Sequence, residues 1–333
     1  MSEVQSNACT VLSLRKTARM LKRRNNFIIL THASPDGDTL GSAFALFYAL
    51  KMQNKRAAVL CPDKIPEKYR YFMSNTDMVS DEGATIVAVD VADKKLLGSL
   101  EERYGDRVEL NIDHHISNTM YARNLYLDAS ASAVCEIMYD LIRLMGVPLN
   151  DIIAKALYTG IATDTGCFKY QNVTAKTHLI AAGLYKYNIK ADEINKLMFD
   201  TKSKRLLLLE QMVLNTAEYH FNDRCMILCV TSEMQKKTGC SGTDLESMAV
   251  ISRSVEGVIC GVTVKQTDEN TFKISLRTYA PLDASEICKH LGGGGHKAAA
   301  GATLTGTLDE VKAQILSVIK TAMEKADEGT VTA

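Results

Sequence analysis

The sequence predicts an α/β protein of two domains: a parallel-sheet domain first, then a smaller mixed α/β domain, joined by a helical linker. Three observations carry this. Short apolar runs near residues 27–30, 56–60, 85–90 and 108–112 alternate with helical stretches, the pattern of strand–helix–strand units. From about Ser130 to Asn215 the pattern is helical alone. Beyond that, strand-like segments at 225–231, 256–266 and 271–278 precede a terminal helix from Thr307 to about Lys325. The expected boundaries are 1–190, 191–218 for the linker, and 219–333. A length of 333 residues suits two domains, and 46% hydrophobic content is ample for their cores.

The elements follow in order. Arg15, Lys16, Arg19, Lys22, Arg23 and Arg24 fit the polar face of an amphipathic first helix. Phe27-Ile28-Ile29-Leu30 is a short strand, and the loop after it carries His32, Asp36 and Asp38. Pro35 and Gly37 break regular structure there, and Thr39 suits the cap of a helix beginning near Leu40. The aspartates also suit plain turn and capping duty. That duty leaves His32 and one carboxylate unexplained. The run Ala84–Val89 ends in Asp90, and Val108–Ile112 ends in Asp113-His114-His115. A helical stretch from Tyr158 ends with Asp164 beside Thr165 and Gly166. Four element ends therefore carry carboxylate or imidazole, where an open α/β sheet binds its ligands.

Asp36, Asp38, Asp90 and Asp164 supply four carboxylates; His32 and His114 supply imidazoles. Carboxylates converging without cations raise one another's pKa. Two divalent cations remove that conflict. Oxygen ligands with some imidazole suit Mn²⁺ best, with Mg²⁺, Co²⁺ or Fe²⁺ as alternatives. Two metals roughly 3.5–4 Å apart clamp a phosphoryl group and activate water near neutral pH. The expected chemistry is metal-assisted phosphoester hydrolysis.

This order of residues, His-x3-Asp-x-Asp, a strand-ending Asp, Asp-His-His and a late Asp, resembles the DHH phosphoesterase superfamily. Gly292-Gly293-Gly294-Gly295-His296-Lys297-Ala298-Ala299-Ala300-Gly301 resembles the glycine-rich signature of its DHHA1 domain. Together they resemble the stand-alone oligoribonuclease and 3′-phosphoadenosine-5′-phosphate (pAp) phosphatase subfamily, which includes cyclic-di-AMP-pathway phosphodiesterases. The resemblance runs from about Asn25 to Ala302. It implies that His32, Asp36 and Asp90 hold one metal, and that Asp38, Asp90, His114 and Asp164 hold the second. It further implies that His115 meets the scissile phosphate or acts as acid/base, with Asp113 orienting the histidines. Arg277 and His296 would grip the substrate, with Gly293, Gly294 and Gly295 letting backbone amides approach it. The expected substrates are short oligoribonucleotides, pAp, and linear or cyclic dinucleotides. The resemblance also allows a homodimer.

Two other readings share the motifs. One is a pyrophosphatase or single-strand exonuclease of the same superfamily. The other is a nucleotide- or RNA-binding module without catalysis, against which the full ligand set argues. The 39 cationic and 39 acidic residues balance, which argues against a protein that coats long duplex nucleic acid. Nine cysteines without repeated spacing fit reduced thiols and a cytoplasmic location. Cys225 and Cys229 lie in an apolar run and read as core residues. No signal peptide or long apolar span is apparent, so no membrane partner is expected.

Overall fold

The computed structural model describes residues 9–246, 248–252 and 254–331. They form two compact units, which meet in sequence between Thr201 and Lys202.

The first unit is built on six strands: β1 (Thr10–Val11), β2 (Asn26–Leu30), β3 (Arg56–Leu60), β4 (Thr85–Val89), β5 (Leu110–Asp113) and β6 (Asn124–Leu127). Their order is β1-β6-β5-β4-β2-β3, and every pairing is parallel. The chain goes from β2 out to β3, then crosses back to β4. The order therefore reverses between β2 and β4. A crevice opens beyond the carboxyl ends of strands at such a reversal. Both faces of the sheet are covered, which is why Phe27–Leu30 of β2 and Ile86–Val89 of β4 are unbroken apolar runs rather than alternating. Phe27 and Ile29 pack into one core with helices α1 (Leu14–Arg23), α2 (Gly37–Met52), α4 (Val134–Leu144) and α5 (Asp151–Asp164). Ile28 and Leu30 point to the other side, into a core with Leu97 and Tyr104, the latter on the short helix α3 (Glu101–Tyr104). As the cationic run suggests, α1 is amphipathic: it buries Thr17, Ala18 and Leu21 and leaves its cations outside.

Helix α6 (Ala175–Leu184) completes the first unit's helical layer. The stretch 191–218 is not one helix. It holds α7 (Ala191–Asn195), a π-helical turn at Lys196–Asp200, and α8 (Lys204–Leu214), which belongs to the second unit. Lys190 adopts φ 54°, so the chain turns sharply into α7.

The second unit has a mixed sheet of β7 (Glu218–His220), β8 (Cys225–Val230), β9 (Cys260–Asp268), β10 (Thr271–Thr278), β11 (Gly294–His296) and β12 (Ala299–Thr305), ordered β11-β12-β10-β9-β8-β7. Only β8 and β9 pair in parallel. Strand β8 is buried throughout, with Cys225 and Cys229 in the core as the sequence suggests. Alternate residues face α12 (Ala284–His290) and α13 (Leu308–Val331) on one side and α8 on the other. Helices α9 (Ser232–Thr238), α10 (Thr243–Glu246) and α11 (Met248–Ile251) fill the connection from β8 to β9. Strand β9 begins at Cys260 rather than near residue 256, because Gly257 sits in a turn with φ 83°. Among the described residues no helix is long and apolar enough to cross a membrane.

Candidate metal centre

The loop Thr31–Asp36, the β4 end, the β5 end and the α5 end all open onto the carboxyl-end crevice of the first unit. The local reasons are specific. Asp36, not Thr39, is the N-cap of α2, which starts at Gly37 rather than near Leu40. Asp36 Oδ1 accepts from the amides of Asp38 and Thr39, both at 3.0 Å. The Thr39 hydroxyl instead donates to the Val89 carbonyl at 3.1 Å, tying the helix start to the end of β4.

Asp38, fully buried, caps a different helix. Its two oxygens accept from the amides of Val134 and Cys135, at 2.5 and 2.9 Å. Helix α4 has no side-chain cap of its own at Ala133, so Asp38 supplies one from α2. This contact needs α2 and α5 to approach closely. A Cβ on Gly160 would lie 2.2 Å from Cys135 Sγ and 2.7 Å from Asp38 Oδ1. One on Gly41 would lie 2.4 Å from the Ala156 carbonyl.

Asp90 follows β4 with φ 59°, a left-handed conformation rare outside glycine and costly to hold. It brings a carboxylate to the middle of the site. The His32 Nε2 lies 3.6 Å from Asp90 Oδ2 and 3.7 Å from Asp36 Oδ1. The His114 Nε2 lies 3.7 Å from Asp90 Oδ1 and 3.4 Å from Asp164 Oδ2. Both rings are anchored through Nδ1–H, His32 to the Ala33 carbonyl (2.7 Å) and His114 to that of Ala131 (3.0 Å). Each ring therefore turns its Nε2 to the carboxylates.

Asp113 is fully buried. Its Oδ1 accepts from His115 Nδ1 (2.8 Å) and from the amides of His114 (2.8 Å) and His115 (3.3 Å). Its Oδ2 accepts from Asn118 Nδ2 at 2.6 Å. Asp113 therefore holds both histidines. The His115 side chain is 41% exposed, with Nε2 left for a ligand.

The electrostatics are those of a site that needs positive charge. Burial, then the charge of Asp38, push the Asp90 carboxyl up to about 7, against the pull of His32. Burial, with the charge of Asp36, raises Asp38 despite His114 and the α4 amides. Burial, with the charges of Asp38 and Asp90, raises Asp164 well above the usual range. Asp164 also sits at a helix C-terminus, the negative end of the dipole. Burial works against a charged His32, yet the close approach of Asp36 and Asp90 and their charges carry it up to about 11. The hydrogen bond to Asp113 raises His115 to about 9.

Three groups of ligand atoms lie within 4.8 Å of one another: His32–Asp36–Asp90, Asp38–His114–Asp164 and Asp90–His114–His115. Asp90 Oδ1 is buried without a hydrogen-bond partner. An orphaned carboxylate oxygen between two oxygen-and-imidazole groups fits a pair of divalent cations.

The eight sequence-named residues of the first unit thus converge. Arg277, Gly293, Gly294, Gly295 and His296 belong to the second unit and cluster there. Arg277 on β10 and His296 on β11 are both paired with Ala299 of β12, so they share one row of the sheet. The neighbouring-strand spacing puts them about 10 Å apart at the backbone. Gly293 and Gly295 also have a packing reason, since a Cβ on either would lie under 3 Å from β12 backbone atoms. Sequence reasoning misses Asn118, Asn172, the Ala131 carbonyl and the α4 amides. Asn118 follows His115 closely enough to be sought as a turn residue. The others give no sequence signal.

Residues 26–161 match the model of the DHH family N-terminal domain, and residues 224–325 match that of the DHHA1 domain. The chain is 33% identical to the bifunctional oligoribonuclease and PAP phosphatase NrnA of Thermus thermophilus, over 94% of this chain and 95% of that one. The fold is shared with an exopolyphosphatase-related protein from Bacteroides fragilis, with TM-score 0.80, 23% identity and 98% of each chain covered. It is shared more loosely with Thermus thermophilus RecJ, solved with Mn²⁺, at TM-score 0.53 and 16% identity over 92% of this chain and 55% of that one. On its domain pair and its full-length relative, the chain belongs to the DHH family, in the form that carries a DHHA1 domain.

Proposed function

We propose that this chain is a two-metal phosphoesterase that hydrolyses short oligoribonucleotides and pAp to mononucleotides. The observation that carries the reading is the buried, unpartnered Asp90 Oδ1 between two groups of oxygen and imidazole ligands. His32, Asp36 and Asp90 would hold one cation; Asp38, Asp90, His114 and Asp164 would hold the other. The cations, when bound, supply charge for the phosphoryl oxygens and a water of lowered pKa. Mn²⁺ is the proposed metal, supported by the donor set and by the Mn²⁺ in the RecJ structure.

The protein's own residues do the rest. Asp113 fixes His115 through Nδ1, so Nε2 meets the scissile phosphate and moves a proton to or from it. Arg277 and His296 bind a substrate phosphate, the arginine fork bidentately. The substrate class is supported by the NrnA relative, which matches both units end to end.

The test is a Mn²⁺ hydrolysis panel of pAp, a five-nucleotide RNA, linear and cyclic dinucleotides, and pyrophosphate. The five-nucleotide RNA and pAp should be cleaved and pyrophosphate spared. Asp90→Ala and His114→Ala should abolish turnover with the fold intact, and Arg277→Ala should raise KM more than it lowers kcat. Full activity in Asp90→Ala refutes the metal assignment, and pyrophosphate as the preferred substrate refutes the substrate class.

A further inference from the structure

The segment 131–135 holds two members of the Asp38–His114–Asp164 group directly and reaches the third through Asn172, and its hydrogen bonds go to neither His32 nor Asp36. The Ala131 carbonyl holds His114 Nδ1, and the Val134 and Cys135 amides hold Asp38. Asn172 Nδ2 donates to the Ser132 carbonyl (2.9 Å) and to the Asp164 carbonyl (3.1 Å), which stitches the segment to the end of α5. His32 and Asp36 are held by other groups, the Ala33 carbonyl and the amides of Asp38 and Thr39.

A buried polar knot fixes the segment. Ser132 and Glu136 are both buried, and the Ser132 hydroxyl donates to Glu136 Oε1 at 2.5 Å. The Thr177 hydroxyl of α6 reaches Ser132 Oγ at 3.3 Å. Glu136 Oε2 is buried with no hydrogen-bond partner. A carboxylate kept in that condition is costly, and a leucine there would pack without the penalty. What the carboxylate achieves is a fixed Ser132, and through it a fixed backbone at 131–135.

We propose that Glu136 and Asn172 are positioning residues for one metal site alone, the Asp38–His114–Asp164 site, and act by locking segment 131–135. The proposal rests on the two-metal reading above.

The test is calorimetric titration of Mn²⁺ into the EDTA-stripped full chain, with pAp kinetics alongside. Wild type should bind two ions. Asn172→Ala and Glu136→Ala should weaken one of the two by about 10–100-fold and leave the other in place, the usual range for outer groups that orient ligands. Their kcat at low Mn²⁺ should fall and return at high Mn²⁺, with KM for pAp unchanged. Glu136→Gln keeps an acceptor for Ser132 and should bind both ions nearly as wild type does. Asn172 is exposed, so its variant carries the test if Glu136→Ala does not fold. Equal weakening of both sites, or of neither, in Asn172→Ala overturns the proposal. A wild type that binds no Mn²⁺ overturns the two-metal reading first, and the positioning role with it.

Discussion

Replacing Gly160 by alanine sets two physical effects against each other. Gly160 lies inside α5. On helix propensity alone, Gly→Ala there stabilises by about 1 kcal/mol. The structure says otherwise. The new Cβ would lie 2.2 Å from Cys135 Sγ, 2.7 Å from Asp38 Oδ1 and 3.0 Å from Asp38 Cα. Both neighbours are fully buried, and Asp38 is pinned by two amides of α4. Such overpacking costs up to about 3 kcal/mol. The net effect is destabilisation by about 2 kcal/mol. For a unit of this size that lowers the melting temperature by about 4–8 °C. Scanning calorimetry in EDTA reads it directly. Cys135→Ala removes the worst contact, so the double variant should recover part of the loss, with a coupling of about 1 kcal/mol. A Gly160→Ala protein that melts at or above the wild-type temperature refutes the account of why α2, α4 and α5 meet here.

Two further outcomes follow from the site. Asp113→Asn keeps an acceptor for His115 but sets an amide against Asn118 Nδ2, so kcat for pAp should drop about 10–100-fold with the fold retained; wild-type kcat would show that Asp113 does not orient His115. In EDTA, stability should fall as pH rises. Asp90 is held up to about 7 and His32 up to about 11, both above their unfolded values of about 3.9 and 6.5. Each therefore contributes stability at low pH that disappears as pH rises through its folded pKa. The metal-free protein should melt lower at pH 8 than at pH 5, and Mn²⁺ should raise the melting temperature more at pH 8. A metal-free melting temperature that climbs between those values contradicts this.

The parallel sheet was legible because its strands are buried on both faces and read as unbroken apolar runs. Strands β1, β6, β7, β11 and β12 were not. They are short, at sheet edges, or built of glycine and alanine, as in Ala299–Thr305, which carry little strand preference. At the site, every side chain at a strand or helix end was legible, since carboxylates and imidazoles stand out where apolar runs stop. Capping, which the sequence reading allows for only one of Asp36 and Asp38, is done by both, at α2 and at α4. The residues that cap can also belong to the ligand groups, and sequence cannot separate the two duties. The backbone groups that hold the ligands were illegible. A carbonyl at Ala131 or an amide at Cys135 has no residue signature, and the contact from Asp38 to Cys135 crosses 97 positions.

The left-handed backbone of Asp90 has a consequence for variation in this protein. Glycine relaxes that conformation and removes a buried carboxylate, so Asp90→Gly should fold more readily than wild type in the absence of metal. On the metal role proposed for Asp90, a screen that rewards yield, solubility or heat resistance alone would enrich inactive molecules at this position. On that same role, fold stability alone would not retain the residue.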